Sequence, residues 1–142
     1  MSNPVLIVDG NNVIHSTPDY AALYEQKPSS AYLQLVHLLN AFKDASGTHV
    51  VAVFDGRGPT MQQTNESRSI QVIFSSGNQS ADFIIERLCQ KHGDAYDVRV
   101  ATNDRALGDM VSGLGVLPIS LSQFWVEVHG HTDRLREKWK FS

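Results

Sequence analysis

The sequence predicts an α/β fold, a central and mostly parallel sheet sandwiched by helices, on three observations. Val5-Leu6-Ile7-Val8 and Val50-Val51-Ala52-Val53-Phe54 are apolar without alternation, the pattern of strands whose two faces are both covered by helices. Each run stops at an Asp-Gly pair, Asp9-Gly10 and Asp55-Gly56, which signals a turn. Longer stretches with helical spacing lie between the apolar runs, and strand–helix–strand alternation builds parallel sheets through right-handed crossovers. A chain of 142 residues, 42% hydrophobic and 19% charged, is expected to form one domain over residues 1–142 around its own core.

The elements follow in order. After the first strand, Ala31, Leu35, Leu38, Leu39 and Phe42 recur as one apolar stripe and predict a helix over 31–42. Tyr20 and Tyr24 fall in the long connection before it. The second strand is the 50–54 run, and Ile70-Gln71-Val72-Ile73-Phe74 is the third. Ser80 is a natural N-cap for a helix that opens Ala81-Asp82 and buries Ile84, Ile85, Leu88 and Cys89. Val98-Arg99-Val100-Ala101 is the fourth strand, and Asn103-Asp104 opens a helix carrying Leu107, Met110, Val111 and Leu114, with Gly113 at its end. A fifth strand within 115–119 contains Pro118 and is expected at a sheet edge. Ser120 or Ser122 is expected to cap a short helix through Phe124 and Trp125, and residues 131–141 to form another in a basic C-terminal tail, 127–142.

Composition narrows the function. A net charge of −3, from 12 Lys+Arg against 15 Asp+Glu, argues against a generally basic nucleic-acid glove or a polybasic membrane binder. Cys89 is the only cysteine, which rules out an internal disulfide and a thiolate-rich zinc site and leaves it as a small buried hydrophobe. The first residues have no charged leader pattern, and no apolar run nears the roughly 20 residues that cross a bilayer. A cytoplasmic protein is the expectation. No G-x-G-x-x-G follows the first strand, which speaks against a dinucleotide enzyme. Asn11 stands where a haloacid-dehalogenase-type phosphotransferase needs its second Asp.

The chemistry lies at the C-terminal ends of the strands, where open parallel sheets bind ligands. Asp9 and Asp55 directly follow the first two strands, Asp104 comes three residues after the fourth, and Asp82 sits in a first helical turn beyond the loop 75–80. Each alone is ordinary, since Asp-Gly makes turns and Asp suits a helix start. Together they would repel and raise one another's pKa unless a cation neutralised them. Oxygen ligands without a competing Cys/His pair suit Mg²⁺ or Mn²⁺. Setting these four aside turns the net charge of −3 into +1, so the acidity is concentrated where a metal would cancel it. Glu86, one turn after Asp82, is a second-rank member, and Asn12 is placed to orient Asp9, a water or a phosphate.

These residues are familiar in order. Leu6-Ile7-Val8-Asp9-Gly10-Asn11-Asn12-Val13-Ile14-His15 resembles the opening of NYN domains, a branch of the PIN-like nuclease superfamily. Val51-Ala52-Val53-Phe54-Asp55-Gly56, Ser80-Ala81-Asp82-Phe83-Ile84-Ile85-Glu86 and Val98-Arg99-Val100-Ala101-Thr102-Asn103-Asp104 resemble that family's later acid motifs, over residues 4–126. The YacP-like branch is the most similar. The resemblance implies a three-layer α/β/α, PIN-like fold and a metal-dependent endoribonuclease. It makes Asp9, Asp55, Asp82 and Asp104 the metal-holding acids and Asn12 the family's second amide, with Asn11 departing from the usual aromatic.

The expected reaction is hydrolysis of an RNA phosphodiester by water activated on Mg²⁺ or Mn²⁺. Arg57 and Arg68, on the long polar loop 56–69, and Arg105 are the candidates for phosphate contacts. Tyr20 and Tyr24 could stack on bases or pack on helices. His15 is read as a turn or core residue rather than a proton-transfer group. Two alternatives stay open: a weakly active or inactive module that binds RNA or a ribonucleoprotein through the same fold, and a toxin-like PIN ribonuclease.

Overall fold

A computed structural model describes residues 3–56, 69–76 and 78–138. Five parallel strands form its sheet in the order β3-β2-β1-β4-β5. They are β1 (Pro4–Asp9), β2 (His49–Phe54), β3 (Gln71–Phe74), β4 (Asp97–Ala101) and β5 (Leu117–Ile119). The two uninterrupted apolar runs occupy β1 and β2 in the interior, and Pro118 stands in the edge strand β5, pairing with Val100. An edge position suits a residue with no backbone N–H to give to a further strand.

Strand parity sorts the core into two halves. Leu6, Val8, Val50, Ala52 and Phe54 pack to one face with Val13, Ile14, Leu35, Leu39, Phe42, Phe124 and Val128. Ile7, Val51, Val53, Val98 and Val100 pack to the other with Ile85, Cys89, Leu107 and Val111. The first face is therefore covered by α1 (Gly10–Ser16), α3 (Pro28–Ser46) and α6 (Leu121–Lys138), the second by α4 (Ala81–His92) and α5 (Arg105–Gly113). Cys89 is buried as expected, and burial pushes its thiol up to about 11.

Several boundaries differ from the reading of the sequence. Gly10 starts α1 with no intervening loop, and the connection holding Tyr20 and Tyr24 is a helix, α2 (Pro18–Gln26). The signals were Pro18 and Pro28, each at the first position of its helix, where the ring fixes φ and its missing N–H has no intrahelical partner to lose. The stripe at 31–42 belongs to the longer α3. The two short helices expected after Ser120 are one, because Gly130 sits inside α6 in open space and does not end it. Residues 139–142, with Trp139 and Phe141, lie outside the described part.

Candidate functional site

Strand order creates the site. The chain leaves β1 to the β2 side, then returns to place β4 on β1's other flank. After β1 it enters α1 on one face, and after β4 it enters α5 on the other. Such a switch point opens a crevice beyond the strand ends. A cleft of about 290 Å³ lies there, lined by Asp9, Asn11, Asn12, His15, Asp55, Ser80, Asp82 and Asp104.

All four predicted aspartates thus line one cleft, delivered by the ends of β1 and β2 and the starts of α4 and α5. Asp9 is buried at 6% exposure, and its Oδ2 accepts the Thr102 hydroxyl proton at 2.9 Å across the β1–β4 junction. Asp55 Oδ1 accepts from the backbone N–H of Ala81 at 2.8 Å, at the N-terminus of α4. Asp104 is the N-cap of α5, its Oδ1 accepting from the N–H groups of Ala106 and Leu107 at 3.0 and 3.2 Å. Asp82 follows Ser80, whose hydroxyl caps α4 by accepting from Phe83 N–H at 3.1 Å. Ala81 and Ser75 meet the same oxygen of Asp55, and the two α5 N–H groups the same oxygen of Asp104.

The asparagines brace the strand ends. Asn11 Oδ1 accepts the Asp55 N–H at 2.7 Å, tying α1 to the end of β2. Asn12 Oδ1 accepts the Asn103 N–H at 2.7 Å, tying α1 to the segment after β4. Asn103 in turn accepts the Leu121 N–H at 2.9 Å, at the start of α6. Gly10 is small for a packing reason: a Cβ there would collide with the Phe54 ring. Gly56, at φ 83°, adopts the left-handed turn predicted for it and donates its N–H to Ser75 Oγ at 3.0 Å.

Among the described residues that line this cleft there are four aspartates and no Lys or Arg. Burial, and then the charges of Asp82 and Asp55, raise Asp9 to about 6 against the pull of the Thr102 hydroxyl and Asn12 N–H. Asp82 is raised by partial burial first, then by Asp104 and Asp55. The described lining offers carboxylate, amide and hydroxyl oxygens beside the one imidazole of His15 and no thiolate, a set dominated by the oxygens that a hard divalent ion takes. Among the described residues no three Asp, Glu, His or Cys groups form a ready-made metal cage.

Other predicted residues fall elsewhere. Arg105 is exposed at the first position of α5, beside Asp104 but not lining the cleft. Glu86 is half-buried on α4 and does not line it either. Arg57 and Arg68 lie outside the described residues. Tyr20 stacks on Trp125 at 5.8 Å between centroids, and Tyr24 packs edge-on against His15 and Tyr32. Both rings are engaged within the protein. His15 is a correction: it is exposed on α1 and lines the cleft, with Tyr24 4.8 Å behind it. Reading a helix directly from Gly10 would have put Asn11, Asn12 and His15 on one face, opposite buried Val13 and Ile14.

The fold is shared with known proteins by sequence as well as by shape. The model of the YacP-like NYN domain family matches residues 6–141, and the chain belongs to that family, within the PIN-like nuclease superfamily. It is 30% identical over 138 residues to the Bacillus subtilis (strain 168) protein described as uncharacterized protein YacP, covering 94% of this chain and 80% of that one. Crystal structures of Rae1 (YacP) from Bacillus subtilis are similar throughout. One has a TM-score of 0.82 at 30% identity, and a single-substitution mutant 0.80 at 28%. Each match covers 94% of this chain, with 78% and 79% of the respective relative. No helix among the described residues is long and apolar enough to cross a membrane.

Proposed function

We propose that this protein is a metal-dependent endoribonuclease that hydrolyses RNA phosphodiester bonds in the switch-point cleft. The observation that carries the reading is the convergence of Asp9, Asp55, Asp82 and Asp104 on one cleft with no Lys or Arg among its described lining residues. Family membership supports the nuclease class, and the oxygen-only acid set favours Mg²⁺ or Mn²⁺.

In this reading the carboxylates of Asp9, Asp55, Asp82 and Asp104 would hold the ion. When bound, the ion lowers the pKa of a water and offsets charge on the attacked phosphate. The chain's own work is positioning. Thr102 holds Asp9 in one orientation, the α4 N-terminus holds Asp55, and the α5 N-terminus holds Asp104. Asn11 and Asn12 fix the distances between strand ends by bridging to Asp55 and Asn103. His15, exposed in the same lining, is available to a bound substrate. Arg105 is placed beside the cleft for a phosphate contact, an RNA substrate alone or in a ribonucleoprotein is the partner, and the cytoplasm is the place of work.

The absence of a ready-made three-group cage among the described residues favours a second reading, a domain that binds RNA without cutting it. One experiment separates the two. Purified protein is incubated with mixed-sequence RNA in Mg²⁺, Mn²⁺ or EDTA, beside Asp9→Asn and Asp82→Asn. Metal-dependent cleavage lost in both folded variants is the expected result. Cleavage that survives both substitutions moves the site elsewhere, and RNA binding without metal binding or cleavage leaves the second reading standing.

A further inference from the structure

Opposite in charge to the cleft, two adjoining hollows of about 570 and 750 Å³ run beside α4 and share Leu88 and Lys91. One begins at Gln79 and Ile84, near the α4 start that carries Asp82. The other ends among Pro4, His49 and Tyr96, at the N-terminal edge of the sheet. Together they form a trough along a helix of 12 residues, about 18 Å long. In a chain of net charge −3, the described lining holds the cations Arg87 and Lys91, with the imidazoles of His92 and His49, the latter kept toward its neutral form by burial and then by Lys43, and no Asp or Glu.

Two exposed aromatics accompany it, Tyr96 in the lining and Phe83 just outside it against the lining residue Arg87. Phe83, next to Asp82, is 40% exposed, and the Arg87 guanidinium lies 5.7 Å from its ring centroid. Tyr96 is 41% exposed and meets His92 edge-on at 5.7 Å. Exposed aromatics beside the cations of a groove match the chemistry of a single nucleic-acid strand, which offers unpaired bases to stack and phosphates to neutralise. A duplex hides those base faces.

We propose that the α4 trough is a track for single-stranded RNA leading to or from the acidic cleft. Arg87 and Lys91 contact phosphates, and Phe83 and Tyr96 stack bases. This rests on the ribonuclease reading and adds to it the strandedness of the substrate and its path.

The test is fluorescence anisotropy with a labelled oligouridylate 12-mer, free or annealed to oligoadenylate, in Mg²⁺ and the Asp9→Asn background. Cleavage is followed in otherwise unaltered protein. Arg87→Ala/Lys91→Ala is expected to weaken single-strand binding about ten-fold and to flatten its salt dependence by roughly 1.4 in log–log slope. Phe83→Ala costs roughly five-fold or more, Arg87→Lys restores most of the charge contribution, and thermal unfolding checks that each variant is folded. Lys27→Ala, an exposed cation at the junction of α2 and α3, is the control and leaves binding within two-fold. Unchanged binding in the α4 variants of an RNA-cleaving protein overturns the track and spares the nuclease. An equal loss in Lys27→Ala, or duplex binding as tight as single-strand binding, overturns it too. Protein that neither binds nor cuts RNA removes the nuclease reading itself, and the track with it.

Discussion

Within β1 two regimes meet. Leu6, Ile7 and Val8 are buried among apolar neighbours on both faces of the sheet, and one residue further Asp9 is nearly as buried but carries a charge beside two more. In the strand interior every local choice agrees with the fold. At the strand end burial and like charge act against folding, and only the switch-point geometry keeps the acid there. The difference teaches that the cleft is held by the core rather than contributing to it, which is where proteins depart from local consistency for function.

The comparison breaks most easily on its core side. Phe54 is fully buried at the end of β2, with Gly10 against its ring. Phe54→Ala is expected to cost about 3–5 kcal/mol in urea unfolding, and it also loosens the support of α1.

The same measurement on Asp9→Asn has the opposite sign. The native pKa of Asp9 is raised from 3.8 to about 6, so below pH 4 both folded and unfolded states hold the proton. Between pH 4 and pH 6 the unfolded state has released the proton that the native state still holds, so stability falls as pH rises, until the native carboxyl also ionises near 6. In EDTA, Asp9→Asn therefore gains on the parent between pH 4 and pH 6, by about 3 kcal/mol at most, and the gain levels off above. A difference that does not vary with pH would remove the electrostatic conflict from the account.

A divalent ion sharpens the contrast from the other side. Mg²⁺ at about 100 times its Kd adds roughly 2.7 kcal/mol to the native state by mass action. The melting temperature of the parent is expected to rise with added ion, while Asp9→Asn and Asp82→Asn rise far less. An equal rise in all three places the ion outside this cleft.

The smallest effect separates two jobs of one residue. Asp104 caps α5 through a single oxygen. Asp104→Ala is expected to cost about 1 kcal/mol of stability, whereas Asp104→Asn keeps the cap and remains close to the parent. Both lose cleavage, so urea unfolding and RNA cleavage measured together tell the cap from the metal contact.

Much of this was legible beforehand because it is written in local pattern. Runs apolar on both faces gave the central strands, Pro118 marked an edge, and Ser80 capped its helix. The acids stood at strand ends and helix starts, the positions from which they line the cleft. What escaped depended on partners distant in sequence. Gly10-Asn11-Asn12 reads as a turn because Asn side chains compete for backbone groups nearby. Here they reach across to Asp55 and Asn103, and the freed backbone stays helical. That shift of one element carried His15 from a presumed turn to the cleft. Tyr20 and Tyr24 look available for bases until Trp125 and Tyr32 close over them.

By itself, then, the sequence determined the alternation of strand and helix, the two-sided burial of β1 and β2, and the number and kind of acids at the strand ends, since periodicity and residue chemistry are local properties. The tertiary structure alone decided that four acids from four elements share one cleft, that Asp9 is buried among them, and that α4 gives its start to that cleft and Arg87 and Lys91 to the hollows beside it. Those outcomes follow from strand order and from which helix covers which face, and strand order is set by long-range pairing that no short stretch of chain encodes.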